Sequence, residues 1–458
     1  MSLNTQLKRI LPKQVLNLRH FFYAWLGAVV YRHPSEELFV IGVTGTSGKS
    51  STIYFLRQIL EQAGFVVGSL STIDFYIAGE DKLNDQKMTM LGKMAIQRYL
   101  REMVRKRCDI AIVETTSEGA VQHRHRFINY DMMILTNLYP EHIESHGSFE
   151  NYKGAKLGIL NYVSKSKRKQ IKNLKNLSKH TQKISGKVPK TVIVNGNTEY
   201  VSEFLQFHFD QKMTFGSDRT KIFSSNQKNT DENFVAKDIH SDKIGLIFSV
   251  SGHHFRAPLF GEHNIHNIVA ALAVLRALQV GWEVLQDAIS QLQSPPGRIE
   301  FIKEAEAYGF QVVVDYAFEP VAMQKLYDVA DLLQPKRIIH VFGSTGGGRD
   351  AARRFTVGEF IGSRADICVV TDEDPYDDNP LEIIADVVRA VKKVGKQEGK
   401  DLYITPDRSD AIRYALDAAR PGDLVLITGK GSEQGMVKKG KLIPWDDREV
   451  VRDYLQNK

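Results

Sequence analysis

Short, almost wholly apolar runs alternate with segments of helical periodicity along most of the chain. LFVIGVT (38–44), DIAIVE (109–114), MMILTN (132–137) and TVIVNG (191–196) lack the apolar–polar alternation of a half-exposed strand. They predict parallel strands covered on both faces. Between the first two, SSTIYFLRQILEQAGF sets Ile53, Leu56, Ile59 and Leu60 at helical spacing, with Gly64 as a C-cap. A second series comprises QVVVDY (311–316), RIIHVFG (337–343), DICVVT (366–371) and DLVLIT (423–428). It starts after SPPGRIE (294–300), whose prolines and glycine mark a boundary. Residues 204–260 differ: patterns such as KIGLIFSV alternate, which predicts an antiparallel addition to the first series. The expected fold class is α/β, with a short basic and apolar segment at 1–37, a mostly parallel central domain at 38–296 and a C-terminal Rossmann-like domain at 297–458.

Composition refines this picture in two places. A chain of 458 residues is too long for one core, and 42% apolar with 25% charged residues is ordinary for a soluble globular protein. Cys108 and Cys368 lie beside apolar runs without metal-ligand spacing, so buried thiols in a reducing cytoplasm are expected. The net charge of +7 is uneven: residues 164–190 carry ten lysines and arginines and no acid, which leaves the remainder at −3. No aromatic residue interleaves that segment, so nucleic acid is not an expected partner, and a solvated helix or loop is the simplest reading. At the N-terminus, RILPKQVLNLRHFFYAWLGAVVYRHP has an uninterrupted apolar run only from Phe21 to Tyr31. Such a run is too short to span a bilayer as a helix. With Lys8, Arg9, Lys13 and Arg19 upstream, packing on the first domain and lying at a membrane interface both stay open.

The first chemistry-bearing motif is VTGTSGKSST (43–52), directly after a predicted strand and before a predicted helix. Gly45 and Gly48 permit a tight turn in which the backbone of Thr46, Ser47 and Ser51 can approach phosphate oxygens. Lys49 would meet the outer phosphates and Ser50 would offer a hydroxyl to Mg²⁺. Glu114 in IVETTSEG closes a strand at the edge where open α/β sheets bind ligands. TNLYPEHIESHGSFENYKGAK adds Asn137, His142 and Lys156, GEHNIHNIVAALAV adds Asn264 and Asn267, and PGRIE adds Arg298.

Together these stretches resemble the Mur ligase family, from about residue 38 to the C-terminus. GVTGTSGKSST, TNLYPEHIESHG, YKGAK, GEHNIHN, PGRIE, VVVDYAFEP, VFGSTGGGRD and ITGKGSE occur in the family's order. Within it, DYAFEP, GGGRD and GKGSE look closest to the branch that adds the third residue of the stem peptide, the tripeptide synthetases. The resemblance implies an ATP- and Mg²⁺-dependent acid–amino-acid ligase of peptidoglycan synthesis, monomeric and cytoplasmic. Its partners would be a muropeptide-like acceptor and a free amino acid. Lys49, Glu114, His142 and Lys156 would be catalytic, with Ser50, Glu114, His142 and a carbamylated Lys156 around magnesium. Asn137 and Asn267 would contact adenine, and Arg298 and Asp315 the phosphates or ribose. Thr89, Thr116, Ser117, Arg124, Arg349, Asp374, Tyr376, Gly429 and Glu433 would line the substrate sites.

Three departures stand beside the resemblance. About forty residues precede the loop, where the family normally carries a domain that grips the UDP-sugar. A lipid-linked or otherwise membrane-associated acceptor, with a peripheral membrane contact through the N-terminal helix, is the expectation this raises. In synthetases that take meso-diaminopimelate, an arginine clamps the distal carboxylate; here TDEDPYDDNP puts Tyr376 at that position among acids, which favours lysine, ornithine or another basic amino acid. Glu118, Phe318 and Ser432 also replace histidines of the branch. The alternatives are a polyglutamate- or cyanophycin-type ligase and a non-catalytic nucleotide-binding scaffold.

Overall fold

The computed structural model describes residues 13–83, 89–140, 146–170, 174, 186–223, 230–348 and 351–458. The chain divides into two compact units, Met1–His240 with Gly245–Gln293, and Ser294–Lys458 with Ser241–Ile244.

In chain order the first unit comprises α1 (Lys13–Val30), β1 (Phe39–Thr44), α2 (Lys49–Gln62), β2 (Val67–Leu70), β3 (Asp74–Ile77), β4 (Glu80–Leu83), α3 (Lys93–Arg105), β5 (Ile110–Glu114) and α4 (Ser117–Val121). It continues with β6 (Met132–Leu135), α5 (Phe149–Lys165), β7 (Thr191–Asn195), α6 (Val201–Leu205), β8 (Gln211–Ser217), β9 (Glu232–Asp242), β10 (Gly245–Val250), β11 (His253–Ala257), α7 (Asn264–Ala277) and α8 (Trp282–Ser290). One sheet runs β11-β10-β9-β8-β7-β6-β1-β5-β2-β3-β4.

The reason the central strands show no alternation is visible in β1. Ile41 and Val43 pack with Ile53, Leu56, Ile59 and Leu60 of α2 in one core. Val40 packs with Leu100 and Met103 of α3 in another. Both faces are covered, so every position is apolar. β2, β5, β1, β6 and β7 pair in parallel. The expectation of an antiparallel addition over 204–260 is corrected: β7–β8 and β8–β9 are parallel, and β10–β11 is antiparallel. Alternation reports one exposed face, whereas strand direction is set by the connection. The stretch 218–231 between β8 and β9 is long enough to carry the chain back for a parallel pairing.

The second unit holds β12 (Glu300–Phe301), β13 (Gln311–Asp315), α9 (Pro320–Leu333), β14 (Ile338–Phe342), α10 (Ala352–Arg364), β15 (Ile367–Val370), α11 (Pro380–Lys393) and β16 (Leu402–Ile404). Then follow α12 (Arg408–Ala418), β17 (Leu424–Thr428), β18 (Gly435–Lys438), β19 (Lys441–Pro444) and α13 (Asp447–Gln456). Its sheet order is β12-β13-β17-β14-β15-β16, with all pairs from β13 to β16 parallel, a doubly wound arrangement. β18 and β19 form a separate antiparallel hairpin.

The basic segment is only partly a solvated face. Lys169 and Lys190 are buried on the carboxylate of Asp131, and Arg168 pairs with Asp210 at 2.8 Å. Burial lowers the Lys169 pKa to about 8, beside the like charge of Lys190, while Asp131 holds it up. Asp131 immediately precedes β6 and its Oδ2 accepts the Val40 N–H at 2.9 Å, so a buried carboxylate requires these cations. Residues 171–173 and 175–185 of the segment lie outside the described residues. Among the described residues no helix is long and apolar enough to cross a membrane.

Candidate active site

The chain leaves β1 at Thr44 and enters α2 at Lys49, turning through Gly45 to Gly48. Gly45 and Gly48 have φ of +151° and +74°. A Cβ on Gly45 would fall 1.9 Å from Thr136 Oγ1, and one on Gly48 would fall 2.6 Å from Asn267 Oδ1, so glycine alone fits both places. The first bond of the helix, Thr52 N–H to Gly48 C=O at 2.9 Å, leaves the N–H groups of Lys49, Ser50 and Ser51 without an intrahelical acceptor. Such a helix start suits a phosphate.

Charged and polar groups gather on this turn. Lys49 Nζ folds back to donate to the Gly45 and Thr46 carbonyls at 3.1 and 2.8 Å. Ser50 Oγ donates to Glu114, at 3.2 and 3.0 Å from its two oxygens. Thr72 donates to the same carboxylate through its N–H at 2.8 Å and its hydroxyl at 3.0 Å. Burial pushes the Glu114 pKa up, while Lys49 and these hydrogen bonds draw it down. Asn137, just past β6, accepts from the N–H groups of Thr46 and Ser47 at 3.0 and 2.9 Å and donates to Ser47 O and Oγ at 3.2 and 3.1 Å. Both ends of its amide are therefore spent on the turn. Lys156, buried on α5, donates to Gly45 O at 2.7 Å and lies 4.7 Å from the centre of the Tyr152 ring. The Tyr152 hydroxyl donates to Thr46 Oγ1 at 3.0 Å. Asn267 Oδ1 accepts from the Thr52 hydroxyl at 3.1 Å, and its amide donates to Asn264 Oδ1 at 3.3 Å.

Other expected residues of this unit are held locally. The Thr116 hydroxyl caps α4 by accepting from Gly119 N at 3.0 Å, and Ser117 Oγ is 3.1 Å from His146 Nε2. Arg124 donates to Met90 O and, at 2.7 Å, to Gln122 Oε1. Thr89 is half-buried. His142 and Arg349 lie outside the described residues. Among the described residues no three His, Cys, Asp or Glu side chains converge to hold a metal ion. The Ser50–Glu114 pair supplies hard oxygen donors in contact, which fits magnesium chemistry.

In the second unit the expected residues join through Lys430, which motif reading did not single out. Its fully buried Nζ donates to Asp374 Oδ2 and Glu433 Oε2, both at 2.7 Å. Asp374 Oδ1 accepts from Val437 N at 2.7 Å, and Tyr316 OH donates to Glu433 Oε1 at 3.0 Å. The Arg298 guanidinium lies 4.8 Å above the Tyr316 ring. Asp315 spends its oxygens on Ile299 N and Ala317 N at 2.7 and 2.8 Å, and burial raises its pKa despite these bonds. Gly429 abuts Glu373, whose burial raises its carboxyl pKa to about 7 against the pull of Arg408 and Lys430. Tyr376 adopts φ +54° and exchanges backbone bonds with Val437 and Lys439.

Thr72, Tyr152, Thr52 and Thr136 also serve the turn and had no role in the sequence reading, although the last three lie within its motifs. Thr72 had a usable signal, because it follows β2 at the same sheet edge as Glu114.

Fold and site define an α/β protein with a glycine turn, of a form that suits a phosphate, at the carboxyl edge of a parallel sheet. Residues 43–275 match the Mur ligase middle domain and residues 297–431 the Mur ligase glutamate ligase domain. UDP-N-acetylmuramyl-tripeptide synthetase of Borreliella afzelii (strain PKo) is 32% identical over 434 residues, covering 93% of this chain and 79% of that one. UDP-N-acetylmuramoyl-L-alanyl-D-glutamate–2,6-diaminopimelate ligase of Chlamydia caviae is 31% identical over 445 residues, covering 95% and 82%. A solved structure of a ligase of the latter name superimposes with a TM-score of 0.60 at 23% identity over 92% of this chain and 78% of that one. Mycobacterium tuberculosis folylpolyglutamate synthase gives a TM-score of 0.62 at 17% identity, covering 90% and 92%, so the likeness of fold does not discriminate substrates. The chain belongs to the Mur ligase family, and is thus an ATP-dependent amide ligase.

Proposed function

We propose that this enzyme adds a basic amino acid to a muropeptide-like acceptor in the cytoplasm, with ATP as co-substrate and Mg²⁺ bound. The observation that carries the reading is the convergence of Lys49, Lys156 and the Ser50–Glu114 pair on one turn. An acceptor carboxylate attacks the γ-phosphoryl group of ATP, ADP leaves, and an acyl phosphate remains. The free amine of the amino acid then attacks the activated carbonyl and phosphate departs. Lys49 and the N–H groups at the start of α2 stabilise the phosphoryl charge that develops. Ser50 and Glu114 would hold magnesium, with His142 and Lys156 as the further ligands the family resemblance implies; the ion would screen the phosphate charge. Carbamylation of Lys156 would keep one N–H on Nζ, so the bond to Gly45 could persist while the side chain changes from cation to anion.

The choice of amino acid rests on fewer charges than the acidic stretch suggests. Asp372 pairs with Lys438 at 2.9 Å, Asp374 with Lys430 at 2.7 Å, and Asp378 faces Arg354 at 3.8 Å. What remains is the buried Glu373, the exposed Asp377 and a tyrosine, Tyr376, in place of the carboxylate-clamping arginine. The test is ADP release with lysine, ornithine and diaminopimelate in competition, followed by product mass. Lysine or ornithine should win; diaminopimelate outcompeting lysine overturns the preference. Tyr376→Arg should raise relative use of diaminopimelate by about tenfold, the scale of one charge-assisted contact.

A further inference from the structure

Helix α1 docks on its protein backwards. Its buried positions are the small ones: Ala24, Gly27 and Ala28 face the body, and a Cβ on Gly27 would come within 3.1 Å of Met94 Sδ and 3.2 Å of the Lys93 carbonyl on α3. His20 Nδ1 lies 2.8 Å from Lys93 Nζ, and Phe21 meets Phe127 edge to face at 5.2 Å. After the helix, Arg101 of α3 fastens the chain by donating to Tyr31 O and Arg32 O at 2.9 and 2.8 Å. The large apolar side chains point the other way. Val15, Leu18, Phe22, Trp25 and Val29 follow one another at alternating steps of three and four residues, which draws a single stripe along the helix. All are exposed, from 43% for Trp25 to 70% for Leu18. An amphipathic helix that served only to complete a core would present the opposite face.

Charge identifies what covers the stripe. The helix KQVLNLRHFFYAWLGAVV contains no acidic residue, and Arg19 beside the stripe and Arg32 and His33 after the helix are basic or titratable. Just past the helix, a concave surface of about 600 Å³ is lined by His33, Arg126, Lys165 and Lys167, with Glu36 as its acid. Glu36 is engaged, accepting from Asn129 Nδ2 at 3.0 Å. Two such helices meeting face to face would bring like charges together, whereas an anionic lipid surface takes both the apolar stripe and its basic flank. Phe22, Tyr23 and Trp25 have the aromatic character that settles at headgroup depth.

We propose that α1 is a membrane-interface anchor: its Val15–Leu18–Phe22–Trp25–Val29 stripe lies in the headgroup region of an anionic bilayer, with the basic concavity at its end against lipid phosphates. This deepens the acceptor reading above by placing the ligase beside a membrane, yet it stands whether the acceptor is lipid-linked or free. The test is co-sedimentation of the full chain with vesicles of phosphatidylcholine alone or with phosphatidylglycerol, while tryptophan emission is followed and the share of Trp25, one of three tryptophans, is taken as the difference from a Trp25→Phe variant. Phosphatidylglycerol vesicles should bind the chain at least about tenfold better, salt should weaken the binding, and the emission should shift to the blue. Leu18→Glu/Phe22→Glu keeps Trp25 as reporter and should abolish binding, with circular dichroism and ADP release in solution unchanged. Lys165→Glu/Lys167→Glu should lose the preference for phosphatidylglycerol. Absence of binding to either vesicle overturns the proposal. So does a concentration-dependent dimer that the Leu18→Glu/Phe22→Glu variant dissolves without any vesicle binding. ADP release is read separately, so failure of the anchor and failure of the ligase reading are distinguishable.

Discussion

The turn after β1 and the Lys430 cluster of the second unit treat charge in opposite ways. On the turn, Lys49, Asn137 and Lys156 lean on backbone groups, and the N–H groups at the start of α2 keep no helical acceptor. Around Lys430, two carboxylates and an ammonium satisfy one another, and Asp374 also accepts the Val437 N–H. The first arrangement leaves backbone donors at a helix start, as the proposed function requires; the second is closed upon itself. A motif rich in charged residues therefore says little about the field a substrate meets until the internal pairs have been subtracted.

Removing Lys430 should break the closed arrangement most severely. Lys430→Met leaves Asp374 and Glu433 without their buried cation, and a loss of ~3–5 kcal/mol in unfolding free energy is expected from denaturant titration. A loss within experimental error would show that the cluster is not closed. Lys49→Ala should do the converse, lowering ADP release by about 10²–10³-fold while leaving the denaturation midpoint in place. A large stability loss there would erase the contrast.

Glu373 offers a gentler probe. Its folded pKa of about 7 lies above the ordinary 4.5. Between those values the folded chain keeps a proton that the unfolded chain has released, so stability falls as pH rises through this window and levels above it. Glu373→Gln removes that slope. The stability difference between wild type and variant should change by on the order of 2 kcal/mol between about pH 5 and pH 8, and a flat difference would refute the assignment. The smallest effect belongs to Tyr152→Phe, which deletes the hydroxyl bond to Thr46 and should raise the KM for ATP by about fivefold, equivalent to ~1 kcal/mol.

The strands that form the middle of both sheets were legible because burial on two faces writes an unbroken apolar run. The short β2, β3, β4 and β16 were not: glycine or polar residues break VGSL, DFYI and EDKL, and the three residues of LYI are too few to read. The direction of β8 and β9 escaped for a different reason: the alternating pattern read over 204–260, KIGLIFSV, belongs to β10, and the burial of a strand does not report which way it runs. At the candidate site, Gly45, Gly48, Lys49, Ser50 and Glu114, which come together at one turn, could be picked out because the proposed phosphate and magnesium chemistry calls for those residue types at that spacing. Thr72 and Tyr152 were not, because a hydroxyl that supports a loop or carboxylate has no spacing rule of its own. The inverted docking of α1 was also hidden, since an apolar run does not announce which of its sides faces inward.

The two cysteines carry a practical consequence. Cys108 and Cys368 are buried, one in each unit, and burial pushes both thiols up to about 12. At neutral pH neither presents a thiolate to an electrophile. The native chain is thus a quiet background for site-directed labelling. A cysteine introduced at an exposed position, Leu18 on α1 or Asp377 beside Tyr376, would take a maleimide dye or spin label while the two natural sulfurs stay dark.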